Sequence, residues 1–151
     1  MIVQPLPVVD QVDTAYLQTL LGYNARRAAL AVISEFLPRM APYGLRPVDF
    51  SILSVIRHNT GITSRQLCDA LNLLPPNLVG KIGALEKRGL LVRHPHPLDG
   101  RAQGLHLTDD GRQLMAQAET TAAELERDVA SALTAAEHKT LLRLLQKVYK
   151  A

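Results

Sequence analysis

Three of the five histidines in this 151-residue chain fall within one stretch, HPHPLDGRAQGLHLTDDG, at residues 94–111. Side chains two positions apart on a strand face the same side, so His94 and His96 could approach one metal ion. Asp99 is the only candidate for a third ligand. Because two imidazoles and one aspartate make a weak ligand set, we expect neither a bound metal nor another cofactor. A small helical metal-binding protein or enzyme built on these histidines is the less favoured alternative.

No sequence pattern typical of a catalytic site is present. The chain has no G-x-S-x-G, no H-E-x-x-H, no glycine-rich phosphate loop and no clustered acid pair. We therefore expect a protein that is not an enzyme.

Cys68 is the single cysteine, which excludes a disulfide within the chain and favours a cytoplasmic protein. With Leu67 and Leu71 as neighbours in a predicted helix, it is expected to be a small buried hydrophobe. Redox sensing through Cys68 is the alternative function. The sequence has no apolar run of about 18 residues and no stretch resembling a signal peptide, so we expect no membrane partner.

The net charge of +3 is concentrated in the middle of the chain. Residues 61–103 carry six basic and three acidic side chains, whereas eleven of each are spread over the rest. A basic segment between neutral flanks is typical of a surface that faces a polyanion, and a chance imbalance on a solvated face is the alternative. Charge alone therefore makes nucleic acid a candidate partner without deciding the matter.

The elements that must position these residues are mainly helical. Hydrophobic residues make up 47% of the chain and aromatic residues 4%, so Leu, Val, Ile and Ala must build the core, and this composition favours helices. Pro38 is expected to close the first helix. Apolar periodicity and flanking Gly or Pro predict helices over residues 14–39, 47–59, 63–71, 75–88, 109–133 and 135–150.

Three helix starts carry capping signals. TSRQ at 63–66 and TAAE at 134–137 match capping boxes, in which a threonine and the residue three positions later exchange hydrogen bonds through side chain and backbone. Thr108 is expected to cap the helix that follows it. Asp109 and Asp110 then lie at the helix end that favours anions.

The segment PPNLVGKIGALEKRG is expected to form a helix that buries Val79, Ile82 and Leu85. Gly80 and Gly83 are unusual in it, because each costs about 1 kcal/mol relative to alanine in a helix interior. These glycines serve either to bring the helix backbone close to DNA or to pack it closely against the preceding short helix. The alternative is that they have no role.

The segments LLVRHPH and AQGLHLT predict a small β-hairpin that turns at Asp99-Gly100. His94 and His96 each precede a proline and therefore favour extended backbone. The order helix, short helix, turn, helix, hairpin is that of a winged helix-turn-helix. In that arrangement the helix after the turn enters the DNA major groove.

LEKRGLLVR and PLDGRAQGLHLTDDG resemble the end of the recognition helix, the wing and the following helix of MarR-type transcriptional regulators. Helix order and chain length fit that family from about residue 14 to the end. Many members carry a second arginine where this chain has Gly100. The family pattern of Asp-X-Arg-Ala and Leu-Thr-X-X-Gly is matched by Asp99, Arg101, Ala102, Leu107, Thr108 and Gly111.

The resemblance implies a mainly α fold with a small β-wing, as one MarR-like domain over residues 1–151. Residues 14–40 and 109–151 would then be dimerisation helices, and residues 47–107 the winged helix-turn-helix lobe. It also implies a homodimeric repressor that binds a pseudo-palindromic operator and is released by a small molecule. The apolar stripes of the flanking helices favour a homodimer as well, because the small lobe cannot cover them.

The resemblance further implies that Asp99 pairs with Arg101 and positions it for the DNA minor groove. Double-stranded DNA is expected to contact Thr63, Ser64, Arg65, Pro76, Asn77, Lys81, Lys87, Arg88, Arg93, His94, Asp99, Arg101 and Gln103. We expect the effector to be an aromatic acid held by arginine. Its candidate contacts are Tyr23, Asn24, Arg26, Arg27, Arg46 and His58.

Overall fold

The computed structural model describes residues 1–150 and confirms a mainly helical fold with a small β-hairpin, which is part of a three-stranded sheet. Two short 3₁₀ turns cover Leu17–Thr19 and Ala41–Tyr43. The helices are α1 Leu21–Met40, α2 Pro47–His58, α3 Ser64–Leu71, α4 Pro75–Lys87, α5 Asp109–Val129 and α6 Ala135–Tyr149. The strands are β1 Ile62–Thr63, β2 Leu91–Pro95 and β3 Gln103–Leu107.

The first predicted helix, residues 14–39, is interrupted. Leu17–Thr19 form a 3₁₀ turn, and Leu20 is extended, with φ −97° and ψ 131°, before α1 begins. The side-chain amide of Asn24 donates to the carbonyls of Gln18 and Leu20, each at 2.8 Å. These bonds satisfy carbonyl groups at the interruption, so a helix over the whole range was the wrong prediction.

Two helix ends also differ from the prediction. Pro38 lies inside α1, although a proline removes one helical hydrogen bond. The helix continues past it to Met40 because Phe36 and Met40 are both buried and hold the last turn against the core. Helix α5 ends at Val129 rather than near Leu133, because the residues that follow turn towards α6.

Both predicted capping boxes are confirmed. The backbone N–H of Gln66 donates to Thr63 Oγ1 at 3.2 Å, and the N–H of Thr63 donates to Gln66 Oε1 at 3.1 Å. The same exchange joins Thr134 and Glu137 at 2.9 and 3.1 Å. Helices α3 and α6 therefore start where their sequences specify.

The start of α5 is bound to the end of α4. Thr108 Oγ1 accepts the N–H of Gly111 at 3.0 Å, which confirms the predicted cap, and donates to the carbonyl of Gly89 at 2.6 Å. A Cβ on Gly111 would lie 2.1 Å from the carbonyl oxygen of Leu90, so only glycine fits there. This contact fixes the first turn of α5 against the chain that leaves α4.

The sheet is antiparallel, with strand order β1-β3-β2. Strand β1 was not predicted, because two residues carry no periodic signal. It pairs with β3 through Ile62 and Leu105, and Gly104 lies so close that an added Cβ would be 2.9 Å from the carbonyl oxygen of Gly61. This pairing brings the start of α3 next to the hairpin.

The buried face of α4 differs from the prediction. Leu78, Ile82 and Leu85 are buried, each at most 2% exposed, whereas Val79 is 65% exposed. The buried positions follow the i, i+4, i+7 spacing of a helix face rather than the predicted i, i+3, i+6. Val79 was therefore wrongly assigned to the core.

Large apolar surfaces remain uncovered in the single chain. Helix α6 has no buried residue, although it is amphipathic and apolar on one face. The exposed apolar side chains at the two ends of the chain include Leu17, Leu20, Leu21, Leu141, Leu142, Leu144 and Val148.

Within residues 1–150, no helix is both long and apolar enough to cross a bilayer.

Candidate nucleic-acid interface

Seven of the thirteen predicted DNA-contacting residues line one shallow groove of about 430 Å³. The groove lies between the first turn of α3 and the hairpin, which the β1–β3 pairing holds together. Its lining includes three guanidinium groups and one carboxylate, so its charge suits an anion. The seven residues are Thr63, Ser64, Arg65, Arg93, Asp99, Arg101 and Gln103.

The arginines of this groove differ in their freedom to bind. Arg93 Nε lies 3.2 Å from Glu86 Oε2, so part of its charge is already balanced. Across residues 1–150, neither Arg65 nor Arg101 takes part in an ion pair. These two side chains therefore supply the unbalanced positive charge of the groove.

The tip of the hairpin is a seven-residue loop, 96–102, and the predicted turn lies within it, over residues 99–102. Asp99 Oδ1 accepts the backbone N–H of Arg101 at 3.0 Å, and its carbonyl accepts the N–H of Ala102 at 3.1 Å. The resemblance implied that the two side chains pair. In the structure, Asp99 instead fixes the main chain of Arg101, and no ion pair within residues 1–150 involves the Arg101 guanidinium.

The first turn of α4 carries an exposed polar side chain, that of Asn77. Pro75 and Pro76 occupy the first turn, where their missing N–H groups have no helical partner to lose. Asn77 follows them and is exposed. Lys81, one turn later, lies 3.6 Å from Asp49 Oδ1, so it is partly engaged within the protein.

Arg88 has a different position from the one expected of a DNA contact. It follows α4, and its guanidinium donates to the carbonyl of Tyr43 at 2.9 Å and that of Gly44 at 2.8 Å. Tyr43 in turn shares a 2.8 Å hydrogen bond with Thr121 of α5. Arg88 thus links α4 to the loop before α2, while Lys87 beside it is exposed.

The histidines of the hairpin contact the protein itself. The rings of His94 and His106 are edge to face, with centroids 4.9 Å apart. His96 Nδ1 accepts the backbone N–H of Leu98 at 3.2 Å. In the part of the chain that the structure describes, no three His, Cys, Asp or Glu side chains come together as a metal site.

Cys68 is buried in the core, with 8% of its surface exposed. The expectation of a small buried hydrophobe is confirmed. Its burial gives the redox alternative no geometric support.

The six predicted effector residues are not brought into one site. Arg46 and His58 lie at opposite ends of α2, about 18 Å apart along the helix axis. The Asn24 side chain is occupied by backbone carbonyls of its own segment. Arg26 and Arg27 are exposed on α1, as Tyr23 is in part.

His58 belongs to a charged cluster that joins the end of α2 to α5. Its Nε2 lies 2.9 Å from Glu119 Oε2, and Arg57 Nη1 lies 3.0 Å from Glu119 Oε1. Partial burial raises the pKa of Glu119, but the hydrogen bonds from His58 and Arg57 outweigh it and hold the pKa below its usual value. The carboxylate is therefore charged at neutral pH and links the two helices.

The known proteins that this chain resembles in sequence and in structure are transcriptional regulators. A sequence profile described as MarR family matches residues 43–102. A proposed transcriptional regulatory protein for the hcr operon of Thauera aromatica is 31% identical over 131 residues, which are 86% of this chain and 79% of that protein.

Solved structures of the transcriptional repressor CouR are similar over nearly the whole chain. CouR bound to a 23-mer DNA duplex is 36% identical, with a TM-score of 0.85, covering 92% of this chain and 99% of CouR. CouR bound to p-coumaroyl-CoA is 34% identical, with a TM-score of 0.81, covering 91% and 97%. These relatives are transcriptional regulators rather than enzymes.

Proposed function

This chain belongs to the MarR family of transcriptional regulators, and we propose that it is a homodimeric repressor with a pseudo-palindromic operator. The observation that carries the proposal is the arginine-lined groove between α3 and the hairpin. A groove with two unpaired guanidinium groups suits the phosphates and minor groove of a duplex. No catalytic role is part of the proposal, and a DNA-binding protein of this kind acts in the cytoplasm.

Each element of the lobe has a distinct part in DNA binding. Helix α4 enters the major groove, with Asn77 near the base edges. The first turn of α3, which carries Ser64 and Arg65, contacts phosphate, because free N–H groups at a helix start favour anions. Arg101 at the hairpin tip reaches the adjacent minor groove.

The uncovered apolar faces support a homodimer. Helix α6 buries none of its side chains in the single chain, and exposed apolar patches of this size favour an interface. Segments 14–40 and 109–151 form the dimer in this proposal, and segment 47–107 is the DNA-binding lobe. A two-fold axis then sets the two α4 helices one DNA turn apart, roughly 34 Å.

The effector in this proposal is an aromatic acyl-CoA thioester. Support comes from CouR, which is similar over nearly the whole chain and was solved with p-coumaroyl-CoA. Exposed Arg26 and Arg27 on α1 are suited to the phosphates of a CoA group. The free aromatic acid expected from the sequence is the second candidate, and the two are separable by experiment.

The test begins with selection of bound duplexes from a random DNA pool, followed by fluorescence anisotropy at fixed salt. We expect a pseudo-palindromic site that is bound far more tightly than a scrambled duplex. Arg101→Ala is expected to weaken binding about tenfold or more while the dimer persists by light scattering. A pool without an enriched sequence, or unchanged affinity of Arg101→Ala, would contradict the proposal.

The effector is tested by titrating the bound duplex complex with p-coumaroyl-CoA, free coenzyme A and p-coumarate. Release by the thioester alone supports the acyl-CoA proposal. Release by p-coumarate at the same concentrations supports the free acid instead. No release by any of the three contradicts both effector candidates and leaves DNA binding unaffected.

A further inference from the structure

Val79 is an apolar side chain on the exposed surface of α4. It is 65% exposed, although Leu78 and Ile82 beside it are buried in the core. Valine is neither a strong helix former nor a typical surface residue. Val79 is not among the residues that form the hydrophobic core or pack against it, so its side chain is available to a binding partner.

Val79 lies on the same side of α4 as Glu86, which contacts a residue of the groove. A helix turns about 100° per residue, so Val79 and Glu86, seven positions apart, share one side. Glu86 pairs with Arg93, and Arg93 lines the arginine groove. The side of α4 that carries Val79 therefore leads towards the proposed DNA interface.

The neighbouring positions leave Val79 prominent. Gly80 and Gly83 carry no side chain, and an added Cβ at either would meet nothing within 4 Å. Packing against α3, one explanation for these glycines, is thereby excluded. The side chain of Val79 projects beside a bare stretch of helix backbone, which a ligand surface can approach closely.

DNA offers few apolar groups to such a residue. In the major groove the C5-methyl of thymine is the apolar group on a base edge, and aliphatic side chains contact it. We propose that Val79 is a specificity-determining residue that packs on the C5-methyl of one thymine in each operator half-site. This inference rests on the proposed function, because it requires α4 to lie in the major groove.

The test is a thermodynamic cycle between Val79 and the methyl group. Each thymine of the selected operator is replaced, symmetrically in both half-sites, by deoxyuridine, which lacks only that methyl. For the wild-type protein, replacement at one thymine position should lower affinity about fifteenfold. Burial of one methyl is worth about fourfold, and the replacement removes one methyl from each of the two half-sites. For Val79→Ala, the same replacement should change affinity less than twofold.

Two further variants control the cycle. Val12→Ala removes the same atoms from an exposed valine outside the DNA-binding lobe and should keep the wild-type response to deoxyuridine. Val79→Thr keeps the shape of the side chain, so it maintains the helix surface if Val79→Ala disturbs it. For Val79→Thr, the loss of affinity caused by deoxyuridine should be smaller than for the wild type at the same thymine. The losses at all other thymines should match those of the wild type.

The outcomes distinguish this inference from the proposed function. If the wild type binds a selected operator but no thymine couples to Val79, the inference is wrong and the regulator proposal stands. A selected half-site without thymine would overturn the inference in the same way. If no duplex is bound selectively, the proposed function itself fails, and the inference fails with it.

Discussion

Asp99 holds Arg101 by its main chain, through a 3.0 Å hydrogen bond from the backbone N–H of Arg101 to Oδ1. Asp99→Asn keeps an oxygen acceptor and removes a negative charge from the groove. We therefore expect its DNA affinity to equal or exceed that of the wild type. Asp99→Ala loses the acceptor, and we expect about a fivefold loss of affinity per subunit, about twenty-five-fold for the dimer, because one hydrogen bond is worth about 1 kcal/mol. Equal losses of DNA affinity in both variants, measured by anisotropy, would instead support the side-chain pairing of Asp99 with Arg101 that the resemblance implies.

Gly80→Ala is expected to stabilise the protein and weaken DNA binding. An added methyl meets no atom within 4 Å, and alanine is favoured by about 1 kcal/mol in a helix interior. In the proposed function, the same methyl lies on the surface that approaches the base edges. Urea unfolding measures the gain in the free energy of unfolding, and fluorescence anisotropy measures the loss of DNA affinity. Gly22→Ala, also in open space on a helix, should change stability alone, and full affinity of Gly80→Ala would argue against close approach of this surface.

Arg88→Ala is expected to lower DNA affinity without changing its dependence on salt. The variant loses two hydrogen bonds that join the end of α4 to the carbonyls of Tyr43 and Gly44. Because no phosphate contact is removed, the slope of log affinity against log salt should match that of the wild type. Arg65→Ala is the control, because the first turn of α3 is proposed to contact phosphate, and its slope should fall by about one per subunit. A similar fall for Arg88→Ala would show that Arg88 contacts phosphate.

Glu119→Gln is expected to reduce stability at neutral pH and to flatten its pH dependence. The folded pKa of Glu119 lies below its usual value, so its contribution is present above the unfolded value of about 4.5 and is lost as pH falls through the folded pKa. We expect about 1 kcal/mol less free energy of unfolding at pH 7. Urea titrations at pH 7 and at about pH 3.5 measure both effects.

Glu124→Gln is the matched control for the charge on α5, because no ion pair involves Glu124 in the described chain. Its stability should follow the wild type at both pH values. An equal effect of the two substitutions would mean that the cluster with Arg57 and His58 adds no stability.

Deletion of residues 134–151 is expected to give a monomer or an aggregate. The α6 face buries nothing in the single chain, so its apolar residues require a partner. Leu142→Asp should reduce the mass measured by light scattering, because a charge is costly in an apolar interface. Leu98→Asp, on an exposed leucine of the hairpin loop, should leave the mass unchanged. A stable dimer after the deletion would exclude α6 from the interface.

The fold was predictable where a few neighbouring residues determine it. Thr63 with Gln66 and Thr134 with Glu137 form capping boxes from local hydrogen bonds alone, and both helix starts were predicted correctly. The hairpin followed from alternating apolar residues. The buried face of α4 was not decidable in this way, because Leu78 and Val79 are both apolar and adjacent, and only the packing of the lobe selects between them.

The candidate site was predictable in composition but not in contacts. The arginines of the groove were all expected, since charge is visible in the sequence. The contact of Arg88 with Tyr43 and Gly44 spans more than forty residues of chain, and its partners are carbonyls, which every residue carries. Glu119 was missed for the same reason, because nothing near it in sequence indicates Arg57 and His58.

The bond between Thr108 and Gly89 makes α5 a lever. The helix has 21 residues and is therefore about 31 Å long, and its first turn is fixed to the end of α4 and the hairpin. A tilt of about 5° at its far end displaces the near end by about 3 Å over that length. In the proposed dimer the two α4 helices match a groove spacing of roughly 34 Å, and such a tilt is enough to take them out of register on DNA. In the proposed function, a small molecule would then end repression by a slight rotation, with every contact inside the lobe kept.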